Sequence, residues 1–121
     1  LEPAAAMVDR YATADVELGG AAIHHGDLVT VSVAAANRDP SAFGDPDRFD
    51  VRRENARQHL AFARGPHVCI GMHLARLEMR TALNLLLDRL PNLRLDPGGD
   101  DPHIRGQVFR SPTSLPVLFD Q

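Results

Sequence analysis

The sequence predicts an α+β chain made of short β hairpins, an irregular connecting stretch and one long buried helix. Three observations carry that expectation. Alternating, β-branched runs separated by glycine turns fill residues 1–37. Turn-forming residues without any period fill 38–64, and a helical period of leucine and methionine runs from Ile70 to Leu90. The chain has 121 residues, 16 acidic and 13 basic, for a formal net charge of -3. Its 44% hydrophobic and 24% charged residues are those of a globular domain, not of a disordered one. Aromatics make up only 5%, so the core is expected from Leu, Val and Ala. All basic residues are arginine, and the near-neutral balance gives no reason to expect nucleic-acid binding. No apolar run approaches the ~20 residues of a membrane helix and no signal-peptide pattern opens the chain, which points to a cytoplasmic protein with no membrane contact. The single cysteine excludes a disulfide scaffold.

In chain order, Val16 and Leu18 alternate with Asp15 and Glu17 ahead of Gly19-Gly20, a hairpin break, and Ala21 to His24 is the return strand. Gly26-Asp27 makes a second turn, Leu28 to Val33 is the clearest strand, and Ala34 to Asn37 is a single helical turn. Asp39-Pro40, Phe43-Gly44-Asp45-Pro46 and Phe49-Asp50 then punctuate a long connection. Connections of that length are usually functional or tied down by specific contacts. The helix that follows opens after Gly65-Pro66 and stops at Pro91. Ile70, Leu74, Leu77, Thr81 and Leu85 line one side of it, and Met72, Met79, Leu83, Leu86 and Leu90 line nearly the opposite side. Two apolar faces predict a helix buried between layers, as part of a larger protein or against a large apolar ligand. Leu93 to Leu95 is a short strand, 96–102 a loop of breakers, and Gln107 to Arg110 and Leu115 to Phe119 are two closing strands.

Cys69 stands at the predicted helix N-terminus, where unsatisfied amides and the positive end of the dipole stabilise a thiolate. Gly71, two residues on, leaves the backbone bare for a flat ligand, and Gly65 lets the preceding loop turn tightly. His67 could face an anionic group. A lone cysteine is also an ordinary small core residue, and neither zinc-ligand spacing nor a convincing cysteine–histidine nucleophile is present.

The run Phe62-Ala63-Arg64-Gly65-Pro66-His67-Val68-Cys69-Ile70-Gly71 resembles the heme-binding signature of cytochrome P-450, the heme-thiolate monooxygenase family. Leu74-Ala75-Arg76-Leu77-Glu78 resembles the helix after the ligand in its bacterial members. Ala36-Asn37-Arg38-Asp39-Pro40, Asp45-Pro46-Asp47-Arg48-Phe49-Asp50 and His59-Leu60-Ala61-Phe62 resemble the bacterial meander that precedes it. Ala63 departs from the pattern, which usually has glycine or another small polar residue there. The resemblance implies the C-terminal part of the P-450 fold, beginning after the helical Glu-x-x-Arg motif and without the oxygen-binding helix. Residues 1–121 are then one partial domain, with 1–37 β-rich, 38–64 the meander, 62–71 the heme-ligand loop, 70–90 the helix and 91–121 the terminal strands.

The resemblance also implies roles. Cys69 is the axial thiolate ligand of heme b (iron protoporphyrin IX), the only metal ligand and the catalytic residue. The amides of Ile70, Gly71 and Met72 hydrogen-bond its sulfur, and Phe62 and Gly65 shape the proximal loop. Arg10 and His67 pair with a heme propionate. Ala5, Ala6, Met7 and Val8 form the wall of a substrate pocket, and Val108-Phe109 the turn that dips into it; an apolar strand and hairpin is the competing reading of both. Arg53, or less readily Arg48, matches the meander arginine that joins the Glu-x-x-Arg pair in a structural network, a pair that it would here have lost. The implied activity inserts one oxygen atom from O2 into a small apolar organic substrate, with electrons from a ferredoxin or flavodoxin steered by a rim of Arg52, Arg53, Arg57 and Arg64. The alternatives are a catalytically inactive fragment, or one half of a split enzyme that needs its N-terminal part.

Overall fold

A computed structural model describes residues 2–120; Leu1 and Gln121, the outermost residues of the predicted span, lie outside the described residues. The chain divides into two compact units, one of residues 1–61 with 107–110, the other of 62–106 with 111–121.

In the first unit, β1 (Met7–Tyr11) pairs antiparallel with β4 (Leu28–Ser32), with Met7 opposite Ser32 and Tyr11 opposite Leu28. The hairpin of β2 (Val16–Leu18) and β3 (Ala21–Ile23) lies between them in sequence. Gly19 and Gly20 have φ of 58° and 82°, the left-handed pair that a two-residue hairpin turn requires. The turn of helix α1 (Val33–Ala36) follows β4 directly, because the Ser32 hydroxyl accepts from the Ala35 amide at 3.2 Å and ends the strand one residue earlier than expected. Ala6, Val33 and Phe43 are buried together with the polar Asn37.

The meander of this unit has almost no regular structure, and its side chains hold it. Arg53 donates to the carbonyls of Gly44, of Asp45 at 2.9 Å and of Arg48 at 3.1 Å. Arg53 thus has partners within the meander itself: the guanidinium fork satisfies carbonyls of a turn that has no ladder to do so. Asn55 Nδ2 donates to the Ala42 carbonyl at 2.6 Å, and the Asp39 carboxylate accepts from both the amide and the hydroxyl of Ser41. Those two bonds hold the Asp39 carboxyl below the usual carboxylate range. Asn37 Oδ1 accepts from the Leu60 amide at 2.7 Å and ties the start of the meander to its end.

In the second unit, a loop from Phe62 leads into helix α2 (Met72–Arg89). After it, β5 (Arg94–Leu95) pairs with β8 (Val117–Leu118), and β6 (Ile104–Arg105) with β7 (Ser111–Pro112). Asp120 fastens the end of the chain, accepting from Asn92 Nδ2 at 2.6 Å and from Arg94 at 3.0 Å. The strand expected at Gln107 to Arg110 is not one. The main chain there turns after Gly106 and bonds to the N-terminal segment: Ala6 N–H donates to the Val108 carbonyl at 2.9 Å, and Arg110 N–H to the Ala4 carbonyl at 2.8 Å. The strand at Leu115 to Phe119 shortens to Val117–Leu118.

Helix α2 keeps the expected two apolar faces but is not buried. Leu77 on one side and Leu83 on the other are 51% and 52% exposed, and no residue of the helix is buried. The correction has a simple cause, since short two-residue strands cannot supply two layers over an 18-residue helix. Among the described residues no helix is long and apolar enough to cross a membrane.

Candidate functional site

One main-chain bond closes the cysteine loop: Cys69 N–H donates to the Phe62 carbonyl at 2.9 Å. Inside it, Gly65–His67 is a 3-10 helical turn with Pro66 in its first positions, where a missing N–H costs nothing. Gly65 sits at φ 72°, in the left-handed region that glycine enters freely. Ala63 is also left-handed, at φ 57°, which costs a residue with a Cβ about 1–2 kcal/mol. The departure at Ala63 is thus tolerated in conformation and paid for in strain.

The helix begins at Met72, with Gly71 as its N-cap, two residues later than the period of the sequence predicts. Residues 69–72 form a turn instead, with Met72 N–H donating to the Cys69 carbonyl at 3.2 Å. That bond uses the Met72 amide, so of the three amides expected at the sulfur only those of Ile70 and Gly71 lack a main-chain acceptor among the described residues. The thiol of Cys69 is free and exposed. A Cβ placed on Gly71 would stand 3.9 Å from its sulfur, so glycine keeps the space beside the sulfur open. The side chain of Ile70, between them, is fully exposed.

The ring of Phe62 lies under the guanidinium of Arg76, whose Cζ is 5.3 Å from the ring centroid. Such a contact is worth roughly 0.5–1 kcal/mol at an exposed site. Sequence reasoning assigned Arg76 no role; the pair joins the loop to the helix across 14 positions (76 minus 62), beyond the reach of any local pattern. His67 ends the 3-10 turn and is exposed.

The other expected residues gather in the first unit. Ala5, Met7, Val8, Asp9, Arg10, Thr30, Val108 and Phe109 line a cavity of about 530 Å³. Its wall is largely apolar. Ala6 lies buried beneath that wall, not on it, with its amide and carbonyl bonded to Val108 and Ala34. Phe109 forms a bridge opposite Ala5, which fixes the 107–110 turn as an added edge on the N-terminal segment. Asp9, which the sequence did not single out, accepts from the Thr30 hydroxyl at 2.6 Å, while the Arg10 guanidinium bonds the Asp9 carbonyl at 2.7 Å. No cluster of three metal-ligating side chains exists among the described residues, so Cys69 stands as a single thiol donor.

Cys69 is thus a single exposed thiol on a closed loop, with glycine at its side. The sequence model described as Cytochrome P450 matches residues 1–118. The chain belongs to the cytochrome P450 family. It is 49% identical over 111 residues to nocardicin C N-oxygenase of Nocardia uniformis subsp. tsuyamanensis, covering 91% of this chain and 28% of that protein. It is 46% identical over 113 residues to mycinamicin IV hydroxylase/epoxidase of Micromonospora griseorubida, with 91% and 28% covered. Among solved structures, P450BioI in complex with a hexadec-9Z-enoic acid-ligated acyl carrier protein superimposes with a TM-score of 0.88 at 42% identity, over 98% of this chain and 30% of that one. CYP109E1 of Bacillus megaterium in complex with testosterone gives 0.90 at 29% identity, over 98% and 33%. The chain therefore spans about a quarter to a third of the length of the P450 proteins it matches. P450 proteins bind heme, and the residues here suit one: a thiol unencumbered by any side chain at Gly71, two unused amides beside it, and a loop locked by its own backbone.

Proposed function

We propose that this chain is the C-terminal, heme-ligand portion of a cytoplasmic P450 monooxygenase that inserts one oxygen atom from O2 into a small apolar organic substrate. The observation that carries the reading is the exposed Cys69 thiol on a loop closed by the Phe62 carbonyl, with Gly71 beside the sulfur. The cofactor is heme b, held by Cys69; when bound it supplies oxygen activation, with the thiolate donating electron density that favours O–O cleavage. The amides of Ile70 and Gly71 hydrogen-bond the sulfur and temper its basicity. Gly65 and Phe62 keep the loop in its bent form, and the roles of Arg10 and of His67 toward a heme propionate rest on the family resemblance alone. Ala5, Met7, Val8, Val108 and Phe109 present an apolar wall that excludes water and accommodates the substrate. Relatives are named for nocardicin C, mycinamicin IV, 20-oxo-5-O-mycaminosyltylactone and vitamin D3, which supports an organic substrate without specifying one. Electrons come from a ferredoxin or flavodoxin, met on the face of the cysteine loop that carries Arg64. Arg53 is withdrawn from that rim, because its guanidinium is spent on meander carbonyls.

Replacing Cys69 with Ser in the complete protein should abolish the red-shifted Soret band of the reduced carbon monoxide complex while leaving the fold intact. Survival of the band in Cys69→Ser would overturn the assignment. The uncovered faces of α2 favour a second reading for the 121 residues alone, that of a portion inactive without its N-terminal complement. Mixing it with a chain carrying that complement should restore heme binding if it is half of a split enzyme, and should not if it is an inactive fragment.

A further inference from the structure

The turn carrying Val108 and Phe109 is held at the cavity by main-chain bonds and by one carboxylate that no local pattern would reveal. Glu2 Oε1 accepts from Arg38 at 2.7 Å and Glu2 Oε2 accepts from Arg110 at 3.2 Å. The two contacts differ in what depends on them. Arg38 has a second carboxylate, Asp47, at 2.9 Å, whereas Glu2 is the only carboxylate paired with Arg110 among the described residues. Arg110 immediately follows Phe109, and its own amide donates to the Ala4 carbonyl, two residues from Glu2. Side chain and main chain of Arg110 are thus pinned to the same N-terminal segment. Phe109 meets solvent over 78% of its surface, so packing does not fix it. Its place on the wall depends on its neighbours.

We infer that Glu2 is a positioning residue for substrate selectivity: by bridging Arg110 to Arg38 it sets where the Val108–Phe109 turn stands at the cavity. The inference rests on the cavity being the substrate site, as proposed above. Charge-assisted contacts give the bridge direction as well as strength. Without the carboxylate, two guanidiniums that shared it face each other, and the one with no other anion, Arg110, moves away with the turn. A looser turn widens the cavity and weakens its preference for a ligand that fills it. It leaves the cysteine loop untouched.

The test uses the complete heme-loaded protein and two azoles, imidazole and 4-phenylimidazole, whose binding is followed by the Soret shift. The ratio of their affinities reports how the wall grips the phenyl ring. Glu2→Gln should lower that preference by about three- to fivefold, the scale of a partly exposed ion pair, with the carbon monoxide spectrum unchanged. Arg110→Gln should do the same, and the double variant should be no worse than either single one, because both remove one contact. Asp47→Asn, which takes away only the outer partner of Arg38, should leave the ratio unchanged. Amide exchange at Ala6 and Arg110 should quicken in Glu2→Gln and Arg110→Gln, with β1–β4 amides unaffected. Additive losses in the double variant, or an Asp47→Asn effect equal to that of Glu2→Gln, would overturn the inference. If the wild type shows no Soret shift with either azole, the heme reading fails, and the exchange measurement alone then decides whether Glu2 holds the turn. Should Glu2→Gln not fold, Arg110→Gln carries the same comparison.

Discussion

The two units of this P450 chain spend their residues differently. Among the described residues, buried side chains occur only in the first unit, at Pro3, Ala6, Val33, Phe43 and the polar Asn37. The second unit has a helix of 18 residues, a backbone-closed loop and clipped strands, but no buried side chain among its described residues. The first is a small domain with its own core. The second presents apolar surface, including leucines on both faces of α2, that its own strands do not cover. A helix with propensity, length and a closed N-terminal loop can be well formed without being well packed. The ligand loop thus gets its shape from main-chain bonds, not from a core beneath it.

That contrast is broken most sharply by a leucine of α2. Leu83 is about half exposed here, so Leu83→Ala should cost the 121-residue chain under about 1 kcal/mol, the value of a surface change with modest lost area. Should a longer P450 chain cover this face, the same substitution would cost it about 2–5 kcal/mol. Urea unfolding of both forms makes the comparison. Equal costs would mean that the exposed face is a true surface, and the short chain should then neither bind a hydrophobic dye nor self-associate.

In the first unit the largest loss is expected from a polar residue. Asn37 is 4% exposed; its Oδ1 holds the Leu60 amide while its Nδ2 has no partner. Asn37→Ala strands the Leu60 amide, which should cost about 1–3 kcal/mol despite relieving the orphaned donor. Chemical denaturation would show it. A neutral outcome would mean that the buried amide contributes nothing net, and that the core rests on its apolar residues alone.

How much of this was legible in the sequence follows from the range of the forces involved. The β2–β3 hairpin, β4 and α2 are written in local periods and in the glycines at 19 and 20, so they could be read within two residues of their ends. The cysteine loop was legible through its signature, because its bonds join residues at most seven apart. The Glu2 bridge joins residues 36 and 108 positions apart, and charges at such separations leave no mark on a neighbourhood. The carbonyl partners of Arg53 were not legible, because carbonyl acceptors belong to every residue and identify none. The 107–110 segment was misread for a related reason. Its apolar residues suit a strand, but its hydrogen bonds go to residues 4–6, a choice made by tertiary contact.

A smaller effect sharpens the contrast at the cysteine loop. Because Ala63 is left-handed, Ala63→Gly should relieve about 1 kcal/mol of strain, less what glycine loses in unfolded-state entropy. The variant should melt slightly higher and keep the Cys69 spectrum. A lower melting temperature would show that the methyl group is packed usefully and that the loop is held by more than its backbone.

The smallest effect concerns acid. In the second unit, the side-chain hydrogen bond from Asn92 and then that from Arg94 hold the Asp120 carboxyl below the usual carboxylate range, against a slight opposing desolvation. A carboxyl with a lower value folded than unfolded binds its proton more weakly in the native state. Its contribution is therefore complete above the unfolded value and is lost as pH falls through the lowered folded one. Asp120→Asn removes that dependence, since an amide accepts from Arg94 at every pH. Wild type should be slightly more stable than Asp120→Asn at neutral pH, and the gap should close on acidification below about pH 4. Asp39 in the first unit has the same direction of shift, from Ser41, and remains in both proteins, so only the difference between them reports on the second unit. Thermal melts from about pH 3 to pH 7 provide the measurement. A gap that persists unchanged into acid would mean that Asp120 holds the chain end by shape and hydrogen bonding, with its charge irrelevant.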